Sequence, residues 1–570
     1  MQQEAQKRGR ITLLKVSCHL LWGIPLGYLL LFYFYPLWAI FQTSLFPEGR
    51  FIAAGVIALF SRPYIWRVLW FTVWQAALST GLTLLVGMPV AYVLARYRLP
   101  GKALWRALLT VAFVMPTVVV ATAFAALLGP SGWLNLILMR LLGVDTPPLV
   151  LTGTIWAILL AHVFYNISVV VRLVGGVWGN LDVQLEQAAT VLGASPWRVF
   201  REITLPLLLP AVGAAALLVF LFCFTSFGIV LILGGARYAT LEVEIYRQTI
   251  SFFNLPLAAT LSLLQIACTF VVMVAYTRLQ QRASVPLRLR RAAAVERPLR
   301  GRRAWLVWVF LAAVLAFEVA PLLLLAVRSL TLGGELTLEF YRALNTNPTR
   351  SVFHVKPLVA VRNSVLFALA TMTLSLVIGT LSAYFLVPGQ RARRSDWLRR
   401  LFDPLILLPL GTSAVTLGFG FVIALDEPPL NLRTSPLLIP IAHSLVAFPF
   451  VVRTILPVLR GIDPRLREAA AILGASPWRV WREVDVPIVS RALLVGAVFA
   501  FAISMGEFGA TALVARPEYP TMPVVIYRFL GQPGQRNYGQ ALAMSTLLML
   551  VTATGFLIIE RFRYRDIGEF

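Results

Sequence analysis

The eight residues Leu192-Gly193-Ala194-Ser195-Pro196-Trp197-Arg198-Val199 occur again, without a change, from Leu473 to Val480. The second copy begins 281 positions after the first. The same offset relates several other pairs, among them Ala161-His162 with Ala442-His443 and Ile245-Tyr246-Arg247 with Ile526-Tyr527-Arg528. A register kept without gaps over roughly ninety residues indicates an internal repeat. The chain is therefore predicted to consist of two halves with one architecture.

Apolar stretches surround both copies. The chain has 570 residues, of which 59% are hydrophobic and 13% charged, and a soluble domain of this size cannot bury so much apolar surface. A helix of about 20 apolar residues crosses the hydrocarbon layer of a membrane. We therefore predict an all-α integral membrane protein with about twelve spans, at 18–44, 67–95, 104–128, 149–173, 207–234, 256–278, 304–328, 363–387, 401–425, 435–458, 489–515 and 541–560.

A basic segment at 280–303 divides the twelve stretches into two sets of six. The predicted halves are 1–279 and 304–570. Because six is an even number, both halves enter the membrane in the same orientation, which is a parallel repeat. The first apolar stretch follows Lys7, Arg8, Arg10 and Lys15 and is too long for a cleaved signal peptide, so we expect it to be retained as a span.

The formal net charge of +25 comes largely from arginines in loops and tails, such as Arg96, Arg98 and the run Arg391-Ala392-Arg393-Arg394. Positive loops stay on the cytoplasmic side of a membrane. This pattern predicts cytoplasmic termini and argues against a nucleic-acid partner. Cys18, Cys223 and Cys268 lie in apolar stretches without metal-ligand spacing, so we expect small buried thiols and no metal site.

The repeated octapeptide lies in two predicted cytoplasmic loops, the first loop (186–206) and the second loop (467–487). Each reads as a helix, a break at Gly193 or Gly474, and a second short helix. Serine followed by proline is typical of a helix N-cap and its first residue. The second helix is amphipathic, with aromatic residues of the kind that fill pockets on a partner protein. A helix lying on the membrane surface would explain one such loop but not two matched copies.

The two loops resemble the EAA loop of bacterial ABC import permeases, with Glu468-Ala469-Ala470 in the second copy and Gln187 in place of the glutamate in the first. In that family the loop is the coupling helix, which contacts an ATPase. The resemblance implies ATPase-coupling roles for Glu186, Gln187, Ala188, Ala189, Gly193, Ser195, Pro196, Trp197, Arg198 and Phe200, and for Glu468, Ala469, Ala470, Gly474, Ser476, Pro477, Trp478, Arg479 and Trp481.

The resemblance also implies a type I importer in the bacterial cytoplasmic membrane. Two cytoplasmic ATPase subunits would drive it, and an extracytoplasmic solute-binding protein would deliver the substrate. The chain has no G-x-x-x-x-G-K-[ST] motif. We therefore expect a non-catalytic permease subunit without a cofactor of its own, with ATP bound by the partner subunits.

The fused form resembles the ferric-iron and thiamine branch of these permeases. The stretches 161–166 and 223–228 look like a thiamine permease, whereas Gly506-Glu507-Phe508-Gly509 fits either substrate. Both substrates stay open at this point.

Four residues in span five of the two halves are the candidates for the substrate pathway: Ser226, Phe227, Glu507 and Phe508. A charge inside a span is costly and usually faces protein or water. Glu507 therefore either lines the pathway and favours a cationic substrate or bonds to a neighbouring helix. His162 and His443 are expected to hydrogen-bond between helices, with metal ligation as the alternative. Glu318 is expected to be peripheral.

A secondary active transporter with two six-helix repeats is the rival class. It would not need two matched cytoplasmic loops, and it usually carries a connected set of acidic residues.

Overall fold

The computed structural model describes residues 23–46, 61–283, 297–299, 301, 303–346, 355–387, 402–406, 408–426 and 430–564. Most of the basic segment 280–303, the run 391–394 and Cys18 lie outside the described residues. In the first part of the chain the helices are α1 (Gly23–Leu45), α2 (Pro63–Arg96), α3 (Lys102–Val114), α4 (Thr117–Leu128), α5 (Trp133–Leu142), α6 (Ile155–Asn180), α7 (Val183–Val191), α8 (Pro196–Val199), α9 (Leu205–Phe224), α10 (Gly228–Leu233), α11 (Leu241–Ile250) and α12 (Leu255–Ala283).

The second part of the chain is also helical. Its helices are α13 (Arg303–Ser329), α14 (Glu339–Ala343), α15 (Val359–Leu386), α16 (Ala414–Ala424), α17 (Leu438–Gly461), α18 (Pro464–Ile472), α19 (Pro477–Val480), α20 (Val486–Gly506), α21 (Gly509–Val514), α22 (Met522–Leu530) and α23 (Gln535–Tyr564). The described strands form two short pairs, with Tyr97–Arg98 parallel to Arg297–Pro298 and Thr331–Leu332 antiparallel to Glu335–Leu336. The protein is therefore an all-α membrane protein, as predicted.

Eleven helices in the described part are long and apolar enough to cross a membrane. The stretch 401–425, predicted as one span, is instead a short helix at 402–406, a 3-10 turn at Leu408–Gly411 and the eleven-residue α16. Prolines in this stretch, such as Pro409, lack the N–H that a continuous helix needs. The hydroxyl of Ser413 then caps α16 by accepting from the N–H groups of Val415 and Thr416.

The predicted span 104–128 is interrupted in the same way. Helix α3 ends at Val114, and α4 begins at Thr117, directly after Pro116. Span five is also interrupted in each half, between α9 and α10 and between α20 and α21. These two breaks fall at repeat-equivalent positions and include Ser226 and Glu507, respectively.

The chain forms two compact units that do not follow the predicted halves. The first unit comprises the described residues that fall within 1–51, 345–525 and 550–570. In it, α1 packs against α16, and Tyr28 donates a hydrogen bond to the carbonyl oxygen of Ile441 (3.1 Å). The hydroxyls of Tyr33 and Thr412 are 2.7 Å apart. The first span of the chain is thus part of the unit built mainly from the second half.

The second unit comprises the described residues that fall within 52–344 and 526–549. In it, α13 packs against α4, and Arg328 donates a hydrogen bond to the carbonyl oxygen of Ala126 (3.0 Å). The first span of the second half is thus part of the unit built mainly from the first half.

A close helix crossing recurs in both units. Helix α2 packs on α6 where Gly87 faces Val170, and a Cβ added to Gly87 would lie 2.9 Å from the Cβ of Val170. Helix α15 packs on α17 where Gly379 faces Val451, and an added Cβ would lie 2.8 Å from Val451. Glycine at these positions lets the two backbones approach closely, as is common between membrane helices.

Candidate functional site: two loops and the breaks in span five

Both loops have the predicted helix, glycine turn and short helix. In the first loop, α7 ends at Val191 and α8 begins at Pro196, and the Ser195 hydroxyl accepts a hydrogen bond from the N–H of Arg198 (3.4 Å). In the second loop, the Ser476 hydroxyl accepts from the N–H of Arg479 (3.3 Å). The predicted serine caps with proline at the first helical position are confirmed.

Gly193 and Gly474 hold the turn between the two helices in the left-handed region, with φ of +85° and +82°. A Cβ added to either would meet nothing within 4 Å. The requirement for glycine is therefore conformational, since an L side chain is strained at such a φ.

Large apolar side chains project from the tip of each loop. Val191 and Leu192 in the first loop and Ile472 and Leu473 in the second are 86–87% exposed, and Trp197 and Trp478 are also exposed. The tryptophans stack on Phe200 and Trp481, with ring centroids 5.7 and 4.6 Å apart. Exposed apolar patches of this kind mark interaction sites.

The residues predicted to contact an ATPase are all at the surface of the described structure. Glu186, Ala189, Phe200, Ala470 and Trp481 are partly exposed. The others are exposed: Gln187, Ala188, Gly193, Ser195, Pro196, Trp197, Arg198, Glu468, Ala469, Gly474, Ser476, Pro477, Trp478 and Arg479. Their contacts with an ATPase remain predictions.

An ion pair fixes the base of each loop. In the first loop, Glu186 pairs with the buried Arg96 at the end of α2 and accepts a hydrogen bond from Thr204 (3.0 Å). In the second, Arg467 pairs with the buried Asp485 (2.7 Å). The sequence analysis predicted neither pair. Arg467 and Asp485 are eighteen residues apart, at opposite ends of the second loop.

The break in span five of the first half is held by His162. Its Nδ1 lies 2.9 Å from the hydroxyl of Ser79, and its Nε2 lies 2.8 Å from the hydroxyl of Ser226. Phe227 is also buried, and its ring contacts that of Tyr246 in a tilted arrangement with centroids 5.3 Å apart. The two ring nitrogens of His162 thus contact α2 and the break itself.

The break in the second half has a carboxylate at its centre. Glu507 is buried, and its two oxygens accept hydrogen bonds from the N–H of Ala510 (2.9 Å) and from the N–H and hydroxyl of Thr511 (3.1 and 2.7 Å). His443 Nε2 lies 3.2 Å from the same carboxylate, and its Nδ1 lies 2.8 Å from Ser504. Phe508 beside it is buried.

The carboxylate of Glu507, one residue before the N-cap Phe508, therefore accepts from the first turn of α21 and bonds to α17, the second of the two roles considered from sequence. A part in the substrate pathway stays a prediction for all four span-five residues. Glu318 is buried in α13, and neither of its carboxylate oxygens has a hydrogen-bond partner in the described structure. Cys223 and Cys268 are free thiols, the first of them buried.

Helix α11 carries polar side chains that sequence reasoning also passed over. Glu242 accepts a hydrogen bond from Gln265, and Glu244 accepts from Tyr64 (2.6 Å) and Gln248 (2.6 Å). The one sequence pattern that points to α11 is the Ile-Tyr-Arg sequence that it shares with α22.

The chain matches a single protein family twice, the binding-protein-dependent transport system inner membrane component, over residues 83–285 and 375–565. It is 27% identical to the thiamine transport system permease protein of Escherichia coli (strain K12) over 90% of this chain and 91% of that protein. It is 28% identical to the protein of that name from Brucella abortus (strain 2308), over 87% and 88% of the two chains. A probable ABC transporter permease protein of Sinorhizobium fredii is 27% identical, over 93% and 94%. The chain therefore belongs to the family of binding-protein-dependent transport system inner membrane components, as an ABC importer permease of the type I family that carries the domain twice.

Proposed function

We propose that this permease carries thiamine across the bacterial cytoplasmic membrane, with its termini and both loops on the cytoplasmic side. The observation that carries the choice of substrate is the similarity, over about nine-tenths of the chain, to proteins named as thiamine transport permeases. The alternative substrate, ferric iron, would be favoured by a histidine ligand pair. His162 and His443 instead direct both ring nitrogens to neighbouring side chains.

Energy for transport comes, in this proposal, from two separate ATPase subunits that bind the tips of the two loops. The two tips present equivalent apolar side chains on the same helix–turn–helix frame: leucine and tryptophan are shared, and Val191 is matched by Ile472. Tryptophan at the centre of a contact contributes most when it enters a pocket on the partner. An extracytoplasmic binding protein would deliver thiamine at the opposite face.

Reconstitution of the complex tests this proposal. The tagged chain is purified in mild detergent, the co-purifying ATPase is identified by mass spectrometry, and the complex is placed in proteoliposomes with the binding protein. Uptake of radiolabelled thiamine should require ATP. Replacing both Trp197 and Trp478 with alanine should lose the ATPase while the chain itself stays folded.

The rival class makes the opposite prediction. A secondary transporter would accumulate its substrate in response to a proton or sodium gradient, without ATP and without a second protein. Gradient-driven uptake by the purified chain alone would overturn the proposal.

A further inference from the structure

Helices α11 and α22 expose the same two residues in the same register. Tyr246 and Arg247 are partly exposed, whereas residues 241–245 and 248–249 of the first helix are buried. Tyr527 and Arg528 are partly exposed, whereas residues 521–526 and 529 are buried. A tyrosine and an arginine on each helix are therefore partly accessible, while most of their neighbours on the helix are buried.

The two tyrosines contact each other inside the second compact unit. Their ring centroids are 6.5 Å apart at an interplanar angle of 83°. Burial raises the pKa of Tyr246, and Arg528 acts in the opposite direction. Burial also raises the pKa of Tyr527, and Arg247 acts in the opposite direction. The contact is reciprocal, as expected where a two-fold relation between repeats brings equivalent residues together.

Helix α2 places this contact far from the loops. Its last residue, Arg96, pairs with Glu186 at the base of the first loop. Near its other end, the hydroxyl of Tyr64 bonds to Glu244 of α11 (2.6 Å), and the hydroxyl of Thr72 accepts from the N–H of Leu241 (3.0 Å). A helix of 34 residues is about 50 Å long, so α11 lies at the membrane face opposite the first loop.

We propose that Tyr246 and Tyr527 close the transport pathway at this face and that Arg247 and Arg528 keep inorganic cations from leaking through the closure. The proposal rests on the proposed function only in taking this chain to contain a pathway. Two tyrosine rings in contact leave no room for a solute between them. Their edge-to-face ring contact can be broken and remade when the pathway opens.

The arginines add an electrostatic barrier to cations, which the uncharged tyrosine rings do not provide. A guanidinium stays charged at any physiological pH, and partial burial strengthens its repulsion of other cations. Arginines at narrow points of membrane pores exclude cations in this way. The membrane potential draws cations toward the cytoplasm, so an importer needs such a barrier on its outer side while the pathway is closed. The barrier acts in the closed state alone, and a cationic substrate passes after the tyrosine contact has opened. Arg247 also donates a hydrogen bond to the carbonyl oxygen of Gly235 (3.1 Å), which holds its side chain in place.

Ion leakage through the purified full-length chain in proteoliposomes tests the proposal. Potassium efflux is followed with an ion-sensitive dye, and efflux of radiolabelled mannitol is followed in parallel. Replacing both arginines with glutamine (R247Q with R528Q) should raise potassium leakage at least tenfold and leave mannitol leakage unchanged. Replacing both tyrosines with alanine should raise both leaks.

Two controls separate charge from folding. Lysine at both arginine positions keeps the charge and should preserve the low potassium leak. Arg237→Gln removes an exposed arginine that stacks on Tyr238 outside this contact, and it should leave both leaks unchanged. Equal leakage from the lysine and glutamine variants, or a wild-type potassium leak in R247Q with R528Q, would overturn the role of the arginines. Unchanged leakage in the alanine variant would overturn the closure. The assay contains no ATPase, binding protein or thiamine, so its result does not depend on the proposed substrate.

Discussion

Glu186 and Arg467 occupy equivalent positions in the two loops, carry opposite charges, and each contacts the residue eighteen positions further along the chain, Thr204 and Asp485 respectively. The partner residue differs between the loops because the charge differs. In the first loop the hydroxyl of Thr204 donates to the Glu186 carboxylate, and in the second the Asp485 carboxylate accepts from the Arg467 guanidinium. The first loop also uses the buried Arg96. The same loop geometry is thus anchored by two different sets of charges.

The first prediction concerns these anchors. Glu186→Ala removes a carboxylate from beside the buried Arg96 and should destabilise the chain by about 1–3 kcal/mol, the usual cost of disrupting a buried charged hydrogen bond. Arg467→Ala should cost less, under about 1 kcal/mol, because Arg467 is about a third exposed and water screens the pair. Thermal unfolding in detergent and limited proteolysis of the loops measure both effects.

Glu202→Gln is the matched control, since Glu202 pairs with Arg198 (3.1 Å) on the exposed surface of the first loop. It should not change the unfolding temperature. Equal losses from all three variants would show that the base contacts do not anchor the loops.

The second prediction concerns the glycine turns. Gly193→Ala together with Gly474→Ala should uncouple ATP hydrolysis from uptake, because each alanine is strained by about 1–2 kcal/mol at positive φ and the turn will shift. Asparagine at both positions should preserve more coupling, since it tolerates this region better than alanine. The number of ATP molecules hydrolysed per thiamine taken up is the measurement.

Gly461→Ala is the control for this pair. Gly461 ends α17 just before the second loop, has no positive φ, and has open space where a Cβ would lie. It should keep the coupling ratio of the unmodified chain. An unchanged ratio in the double alanine variant would contradict the role assigned to the turn.

The features that the sequence predicts well are local or repeated. The Ser195 cap and the Gly193 turn follow from residues within one loop, and the second copy supports the interpretation of the first. The ion pair between Arg96 and Glu186 joins residues ninety positions apart, and no local sequence pattern predicts it. The break at Pro116 could not be predicted from hydrophobicity, because the residues on both sides are apolar and hydrophobicity alone predicts a continuous span.

The third prediction concerns the close helix crossings. Gly87→Ala should destabilise the chain by about 1–3 kcal/mol, because its Cβ would overlap with Val170 and the helices would have to move apart. Gly379→Ala should have a similar effect through Val451. Thermal unfolding in detergent measures both. Adding Val170→Ala to Gly87→Ala should restore part of the loss and not all of it, since it removes the two Cγ methyl groups at 3.0 and 3.3 Å but keeps the Cβ at 2.9 Å.

Gly81→Ala on the same helix α2 is the control, because no atom lies within 4 Å of its Cβ position. A loss of stability in Gly81→Ala as large as that of Gly87→Ala would mean that helix strain, and not the crossing, is responsible.

The last prediction separates the two roles considered for Glu507. If the carboxylate anchors the break in span five, Glu507→Ala should destabilise the chain by about 0.5–2 kcal/mol, the cost of losing a helix cap. The loss should exceed that of Ser226→Ala. Ser226 has one described side-chain hydrogen bond, to His162, whereas Glu507 has partners on two helices. Glu507→Gln should lose less, since an amide oxygen still accepts from one N–H group. Thiamine uptake per folded molecule should then stay close to that of the unmodified chain in Glu507→Gln. A fall in uptake at an unchanged unfolding temperature would instead place the charge of Glu507 in the substrate pathway, because a capping role alone cannot lower transport without lowering stability.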